Sequence, residues 1–341
     1  MFKYIRNRLI NALMSRLMLS LKPIQDDISS LKANQELNQI QIIQMLQAMS
    51  EYIHPALLNQ FSNMGLGKAQ HMGEVVISPN YAKQLHPDDV FLVSYPRSGN
   101  TWMRTIIAYI LYSADILTTL KDLEVYVPDL HYDLPHHDRY SQPRVLKTHE
   151  PYFNRQGATN RQLYNKWIYV IRHPYKTLTS FYDFEAFHHP DGFMPISDFV
   201  QQVLNNAYQF GGWAEHVQSW RQAATSAQAL FVRYEDLQRA PIVHIQRIAQ
   251  FLGRIIDDTQ AEQVRQLSSQ ESMRELEHKD PHLVGYEIIR SGDERKTKQI
   301  LDDALKEQIY RYCQRQMDDF GYLPDGTIAS EYPAKQIYQI L

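Results

Sequence analysis

The sequence predicts an α/β fold: a central parallel sheet in a three-layer α/β/α arrangement, preceded by an N-terminal amphipathic and coiled-coil helix. Short apolar or β-branched runs of strand length recur at Val90–Ser94, Arg144–Thr148, Trp167–Ile171 and Leu230–Val232. Polar residues and then a helical period follow these runs, as expected of strands covered on both faces by crossover helices. The first sixty residues differ, with a basic amphipathic pattern overlaid by a heptad. The expected division is therefore residues 1–60 as a helical arm, 61–325 as one α/β domain and 326–341 as a tail.

Taken in order, the arm comes first. From Met1 to Gln25 the charged residues are Lys3, Arg6, Arg8, Arg16 and Lys22, interleaved with Phe2, Ile5, Leu9, Leu13, Leu17 and Leu21. Such a helix can lie on an anionic membrane surface. Arg6, Arg8, Asn11 and Arg16 interrupt every apolar run before about eighteen residues accumulate, which argues against a membrane span and a cleaved signal peptide. Spacings of four and three link Ile10, Met14, Leu17, Leu21, Ile24, Ile28, Leu31, Gln35, Asn38, Ile42, Met45, Met49 and Tyr52 as an a/d seam. Two readings stand: a coiled coil that makes the chain a homo-oligomer, or an amphipathic arm folded back on its own domain. Pro23 would kink or split the helix in either case.

Composition bounds the rest. The chain has 341 residues, 44% hydrophobic and 21% charged, enough for one large core plus an appendage. A net charge of −3 gives no whole-chain argument for binding nucleic acid, and none is expected as a partner. The lone Cys313 excludes an internal disulfide framework and thiolate metal clusters, which fits a cytoplasmic setting with peripheral membrane contact through the arm.

Beyond Pro55 and the Gly65–Gly73 linker, Val90–Ser94 reads as a buried strand, Tyr95–Asn100 as a tight turn and Thr101 onward as a helix. A loop in this position points backbone N–H groups and a helix N-terminus at one spot. Arg97, Ser98, Asn100 and Thr101 surround that spot with donors and no acid, so an anion such as phosphate is expected there. The arrangement is P-loop-like, yet the nucleotide-binding pattern G-x-x-x-x-G-K-[ST] is absent, since Gly99 has no lysine beside it. A P-loop kinase and a plain structural turn remain alternatives at this point.

Ligands of parallel sheets sit beyond the carboxyl ends of the strands. The second run ends at Lys147-Thr148-His149-Glu150, the third at Arg172-His173-Pro174, and the fourth at Arg233-Tyr234-Glu235-Asp236. Arg172 and Ser180 can grip one phosphate while Arg97 to Thr101 hold another, which suggests a doubly phosphorylated ligand. Helical periods are expected at Thr177–Phe187, Ile196–Asn206, Trp213–Ala224, Ile242–Leu252, Asp258–Leu267 and Asp302–Asp318.

Four collinear motifs then carry a resemblance. Y-P-R-S-G-N-T-W from Tyr95, K-T-H from Lys147, R-H-P-Y-K-T-L-T-S-F-Y from Arg172 and R-Y-E-D-L from Arg233 resemble the sulfotransferases that use 3′-phosphoadenosine 5′-phosphosulfate (PAPS). G-W-A-E-H-V-Q-S-W from Gly212 is similar to the cytosolic-type branch. The resemblance implies transfer of a sulfuryl group to an acceptor hydroxyl, with adenosine 3′,5′-bisphosphate (PAP) as product. It implies His149 as general base, with Lys147 and Arg97 as cations at the leaving group. It further implies a donor site of Arg97, Ser98, Gly99, Asn100, Thr101, Trp102, Arg172, Ser180 and Tyr234, closed by Arg290, Ser291 and Gly292.

Departures from the family pattern accompany it. Arg97 stands where lysine is familiar, keeping the charge but adding a bulky fork. Asn100 replaces a hydroxyl. The late R-K-G-x-x-G-x-W segment survives only as Arg290 and Gly292, with Ser291 between them, and Gln270 stands where an aromatic over adenine is often found. The acceptor pocket is expected between motifs, at Leu123–Arg139 and Phe184–Phe193, whose mixed histidines, acids and aromatics suit a small-molecule, glycan or glycolipid acceptor. The adjacent pairs His136-His137 and His188-His189 are not expected to bind metal, because neighbouring rings diverge and a third ligand is needed. A protein of another class remains an alternative: an inactive, PAPS-binding coiled-coil scaffold apposed to a membrane.

Overall fold

The computed structural model describes residues 85–130, 143–152, 164–189, 192–208, 210–224, 228–280 and 301–329. The arm, the linker, His136, His137, the Arg290–Gly292 segment and the last residues of the tail lie outside the described residues.

The sheet consists of β1 (Val90–Ser94), β2 (Val145–Thr148), β3 (Lys166–Ile171) and β4 (Gln228–Arg233), in the spatial order β2-β1-β3-β4. All three pairings are parallel, with Val90 opposite Val145, Phe91 opposite Trp167 and Lys166 opposite Gln228. Every residue of β1 is buried, as a central strand with helices on both faces requires. Its side chains alternate. Val90 and Leu92 enter one core and Phe91 and Val93 the other, confirming three layers.

The first layer holds α1 (Asn100–Leu111), the short α2 (Leu123–Tyr126), and the later α7 (Pro241–Phe251), α8 (Asp258–Leu267) and α9 (Gln270–His278). The opposite layer holds α3 (Pro174–His188), α4 (Ile196–Leu204), α5 (Trp213–Ala223) and α10 (Asp303–Asp319). Between β4 and α7 runs α6 (Tyr234–Arg239). Trp167, Trp213 and Trp220 are fully buried in this second core, each contributing on the order of 2–3 kcal/mol by area.

Local capping rules set two helix starts, one that periodicity placed three residues late and one that it did not mark. α3 starts at Pro174 rather than Thr177, because proline at the first helical position has its torsion preset and no N–H to lose. The His173 ring caps that turn by accepting from the Tyr175 N–H at 3.2 Å. α9, absent from the expected helices, is capped by Ser269, whose hydroxyl accepts from the Ser272 N–H at 3.2 Å. At the amino end of β1, Asp89 and Arg144 form a fully buried bidentate pair with N–O distances of 2.8 and 2.6 Å.

After α10 the chain returns to the sheet. Phe320 offers its carbonyl to Arg233 at 2.9 Å, the Tyr322 hydroxyl donates to Glu235 at 3.0 Å, and the Leu323 carbonyl accepts from His173 Nε2 at 3.1 Å. Hydrogen bonding continues past residue 325, with the Ala329 N–H donating to the Gly321 carbonyl at 2.8 Å.

Candidate functional site

In a sheet of this order the direction of winding reverses between β1 and β3, and the crevice outside their carboxyl ends is where ligands bind. Both strands deliver cations there. The chain leaves β1 through Tyr95–Gly99, pinned by the Tyr95 hydroxyl on the Gly211 carbonyl at 2.9 Å, and enters α1 at Asn100. Gly99 has φ 100°, a left-handed torsion natural to glycine, and Arg97 adopts φ 66°. A methyl group on Gly99 would lie 2.5 Å from Tyr234 Cδ2, so glycine is needed for space as well. The first turn of α1 contains no acid, and its opening N–H groups have no intrahelical acceptor.

From β3 comes Arg172. Its Nη1 donates to the Arg97 carbonyl at 3.2 Å, and its guanidinium carbon stands 4.5 Å from the Tyr234 ring centre. Arg97 Nε lies 3.4 Å from Ser180 Oγ, with its guanidinium 5.0 Å over Phe184. The structure thus brings Arg97, Ser98, Gly99, Arg172, Ser180 and Tyr234 into one cluster. Trp102 joins it edge-on to Tyr234, with ring centres 5.2 Å apart, while also packing on the first core. Thr101 occupies the second position of α1, half-buried.

Asn100 does something else with its side chain. Its amide donates to Ser94 Oγ at 3.0 Å, so what it offers the anion site is its backbone N–H. Ser94 Oγ is in turn 3.3 Å from His149 Nδ1, and that nitrogen is 2.8 Å from the Ser94 carbonyl. A carbonyl only accepts, so His149 Nδ1 carries the proton and Nε2 keeps its lone pair. Burial, reinforced by Lys147 nearby, holds the imidazole well below its ordinary pKa. It is therefore neutral at pH 7 and competent to accept a proton.

The same logic fixes the support behind it. His216 Nε2 lies 2.9 Å from the His149 carbonyl and must donate to it, which leaves Nδ1 to accept from the Tyr169 hydroxyl at 2.7 Å. Phe210 sits edge-on to His149 at 5.8 Å. Lys147, in β2 and two residues before His149, pairs with Asp129. Burial pulls its pKa down and Asp129 opposes that pull. Ser94, Asp129, Tyr169, Phe210 and His216 were not singled out by sequence. Two lay in segments the sequence had marked for the site: His216 is the histidine of G-W-A-E-H-V, and Asp129 falls in the stretch expected to line the acceptor pocket.

His188 and His189 fold back on their own helix, with Nδ1 atoms 2.8 and 2.7 Å from the Phe184 and Glu185 carbonyls. Among the described residues no group of three His, Cys, Asp or Glu could hold a metal ion, and no helix is long and apolar enough to cross a membrane.

Two buried donors test whether this site fits an anionic nucleotide. Ser98 Oγ and Arg172 Nε have no hydrogen-bond partner in the structure, and orphaned buried donors carry a cost of about 1–3 kcal/mol each. Both belong to the cluster where the two strand ends meet, where the oxygens of an anionic group would give them acceptors.

Comparison with known proteins agrees with the geometry. A family model for a sulfotransferase domain matches residues 87–321. Sulfotransferase 1B1 of dog (Canis lupus familiaris) is 27% identical over 224 residues, 61% of this chain and 73% of that protein. Sulfotransferase 4A1 of mouse (Mus musculus) is 29% identical over 184 residues, 52% of this chain and 64% of that protein. Among solved structures, mouse sulfotransferase SULT7A1 complexed with PAP has a TM-score of 0.54 at 21% identity, covering 72% of this chain and 90% of that one. Retinol dehydratase in complex with retinol and PAP has a TM-score of 0.55 at 20% identity, covering 70% and 84%. At such identities the structures establish a shared fold.

Proposed function

Because the chain belongs to the sulfotransferase domain family, we propose that it is a PAPS-dependent sulfotransferase that sulfates an acceptor hydroxyl, with His149 as general base. The observation that carries this reading is the junction of the two strand ends. Arg172 binds the Arg97 carbonyl while Ser98 Oγ and Arg172 Nε wait without acceptors, a few residues from a neutral imidazole whose free nitrogen is fixed.

When bound, the donor supplies an anhydride whose sulfur takes the acceptor oxygen and whose bridging oxygen leaves with the electron pair on the 5′-phosphate. The residues do the remainder. His149 Nε2 receives the acceptor's proton, a contribution of about 10²–10⁴ in rate. Arg97 and the first N–H groups of α1 hold the 5′-phosphate end, and Lys147 offsets the charge building there. Arg172 and Ser180 grip the 3′-phosphate, and Trp102 and Tyr234 flank the adenine. Arg290, Ser291 and Gly292 complete the closure in this reading. The family match spans the loop itself, so the kinase alternative is set aside.

The acceptor is proposed to be a polar small molecule, a glycan or a glycolipid. Phe184 and Phe210 beside the cations and the base offer apolar faces, and the mixed acids and histidines of the Leu123–Arg139 and Phe184–Phe193 sequences supply hydrogen bonds in this reading. The arm is proposed to make the chain a homo-oligomer and to rest on anionic membranes. Deleting Met1–Lys22 is expected to abolish binding to phosphatidylserine vesicles, and unchanged binding refutes that role.

Transfer of labelled sulfate from PAPS to a panel of glycans, glycolipids, steroids and phenols tests the reaction. The expected result is turnover on at least one class, lost in His149→Ala while PAP still binds. Tight PAP binding with no turnover on any acceptor would mean a binding protein instead.

A further inference from the structure

Behind Lys147, one side of the sheet carries an arrangement to which the reaction assigns no role. β2 is an outer strand, and Pro128–Leu130 lies along it as a short parallel extension. The Lys147 N–H donates to the Pro128 carbonyl at 2.8 Å, and the Leu130 N–H donates to the Lys147 carbonyl at 2.8 Å, bridging Asp129 and Lys147. Residues bridged in this way present their side chains side by side. The Asp129 carboxylate accepts from the Lys147 ammonium with the two side chains 11% and 13% exposed.

A second pair stands behind the first. The Glu124 carboxylate accepts from the Asp129 N–H at 3.2 Å and from Arg104 Nη2 at 2.9 Å, and Arg104 Nε donates to the Val127 carbonyl at 2.9 Å. Two ion pairs therefore stand back to back, Arg104–Glu124 and Asp129–Lys147, joined by the Asp129 backbone N–H on the Glu124 carboxylate, and the row ends two residues before His149. The groups facing Lys147 are Asp129 and Glu124, which favour its charge, and Arg104, which opposes it. Lys147 in turn disfavours a charge on His149.

We propose that Asp129 is a positioning residue for sulfuryl transfer: its carboxylate fixes Lys147 as an ammonium beside His149, and Glu124 and Arg104 fix Asp129 in turn. The inference rests on the sulfotransferase reading, in which Lys147 must be charged and close when the leaving oxygen gains charge. An ammonium this buried and unpaired sheds its proton or swings out to water. Pairing with Asp129 prevents both and consumes one of three N–H donors, leaving two for the departing group. It also places a negative charge within reach of His149, which the same ammonium would otherwise drive further from protonation. In sequence Asp129 belongs to the segment expected to line the acceptor pocket, so one residue joins that segment to the catalytic strand.

Asp129→Asn and Asp129→Glu in the full chain test the assignment, with two readouts. The first is acylation of Lys147 by an amine-reactive acetylating reagent, followed by mass spectrometry across pH, with and without PAP. The second is kcat and KM for PAPS across pH. For Asp129→Asn the expected result is Lys147 labelling faster by about tenfold or more, the lower bound for losing an opposite charge at this range. A kcat lower by at least about tenfold, with KM for PAPS within about threefold, should accompany it. The alkaline limb of kcat should move to lower pH, and Asp129→Glu should restore most of both. Labelling and kcat unchanged in Asp129→Asn would overturn the proposal. Failure of PAP to bind or to protect Lys147 in the parent chain would remove the sulfotransferase reading instead, while the labelling contrast still judges the Asp129–Lys147 pair.

Discussion

Lowering the pH from 7.5 to 5 should destabilise this domain through two histidines. Burial pushes His216 and His173 down to about 4 from an ordinary 6.5. Each is held neutral by a polar contact at both nitrogens: His216 by Tyr169 and the His149 carbonyl, His173 by the Tyr175 N–H and the Leu323 carbonyl. The folded pKa lies below the unfolded one, so the stabilisation is complete above pH 6.5 and is lost as pH falls toward 4. At pH 5 the unfolded state binds nearly one proton per ring and the folded state about a tenth. Integrated from pH 7.5 down to 5, that difference in proton binding is worth about 2 kcal/mol per ring, or about 4 kcal/mol together. For a domain of this size the shift in Tm is roughly 8–16 °C. His149 and His244 are lowered in the same direction and add to it. Staying at or above pH 5 keeps most carboxylates charged in both states, since their unfolded values lie near 4. Calorimetric melting at constant ionic strength, in two buffers of different ionisation heat, reads both Tm and proton uptake. A Tm flat to within about 3 °C between pH 7.5 and 5, or an uptake below about one proton at pH 5.5, would refute the reasoning.

Three further outcomes are expected. Gly99→Ala places a methyl group 2.5 Å from Tyr234 Cδ2 at φ 100°, so stability should fall by about 1–3 kcal/mol and PAP affinity by at least about tenfold, read by melting and titration calorimetry. Arg172→Gln removes the guanidinium that spans the two strand ends, and PAP should bind roughly 10–100-fold more weakly with little change in Tm. Asp89→Ala leaves the buried Arg144 charge without its bidentate partner and should cost about 3–5 kcal/mol in denaturant unfolding, without a specific loss of PAP affinity in the folded fraction.

Residues close in sequence gave up most of their arrangement without a structure. Val90–Ser94 is apolar throughout because both faces are covered, and the donors of Arg97–Thr101 follow at once, so strand, loop and helix could be read from one window. The switch from period two to period 3.6 located α4, α5, α7, α8 and α10 to within a few residues. Pro174 hid three residues of α3, since a helix that opens on proline begins before its apolar repeat does. α6 is too short to show a period. The Asn100 amide turns inward because Ser94, six residues earlier, presents an acceptor that no linear motif marks. His216 and Asp129 lay in segments already noted, yet their roles depend on His149 and Lys147, which lie 67 and 18 residues from them. Such pairings follow from the order β2-β1-β3-β4, and spacing alone does not encode it.

The return of the chain after α10 bears on how the protein is made. Phe320, Tyr322 and Leu323 supply the bonds that hold Arg233, Glu235 and His173, the last 150 residues earlier. A ribosome-bound nascent chain can assemble the sheet once β4 has emerged, but the turn that carries Arg172 lacks its anchor until residue 323 is free of the tunnel. Donor binding should therefore switch on late, after the sheet has formed, and stalled chains carrying a C-terminal linker long enough to bring residue 323 out of the tunnel should retain PAP where chains with a shorter linker do not.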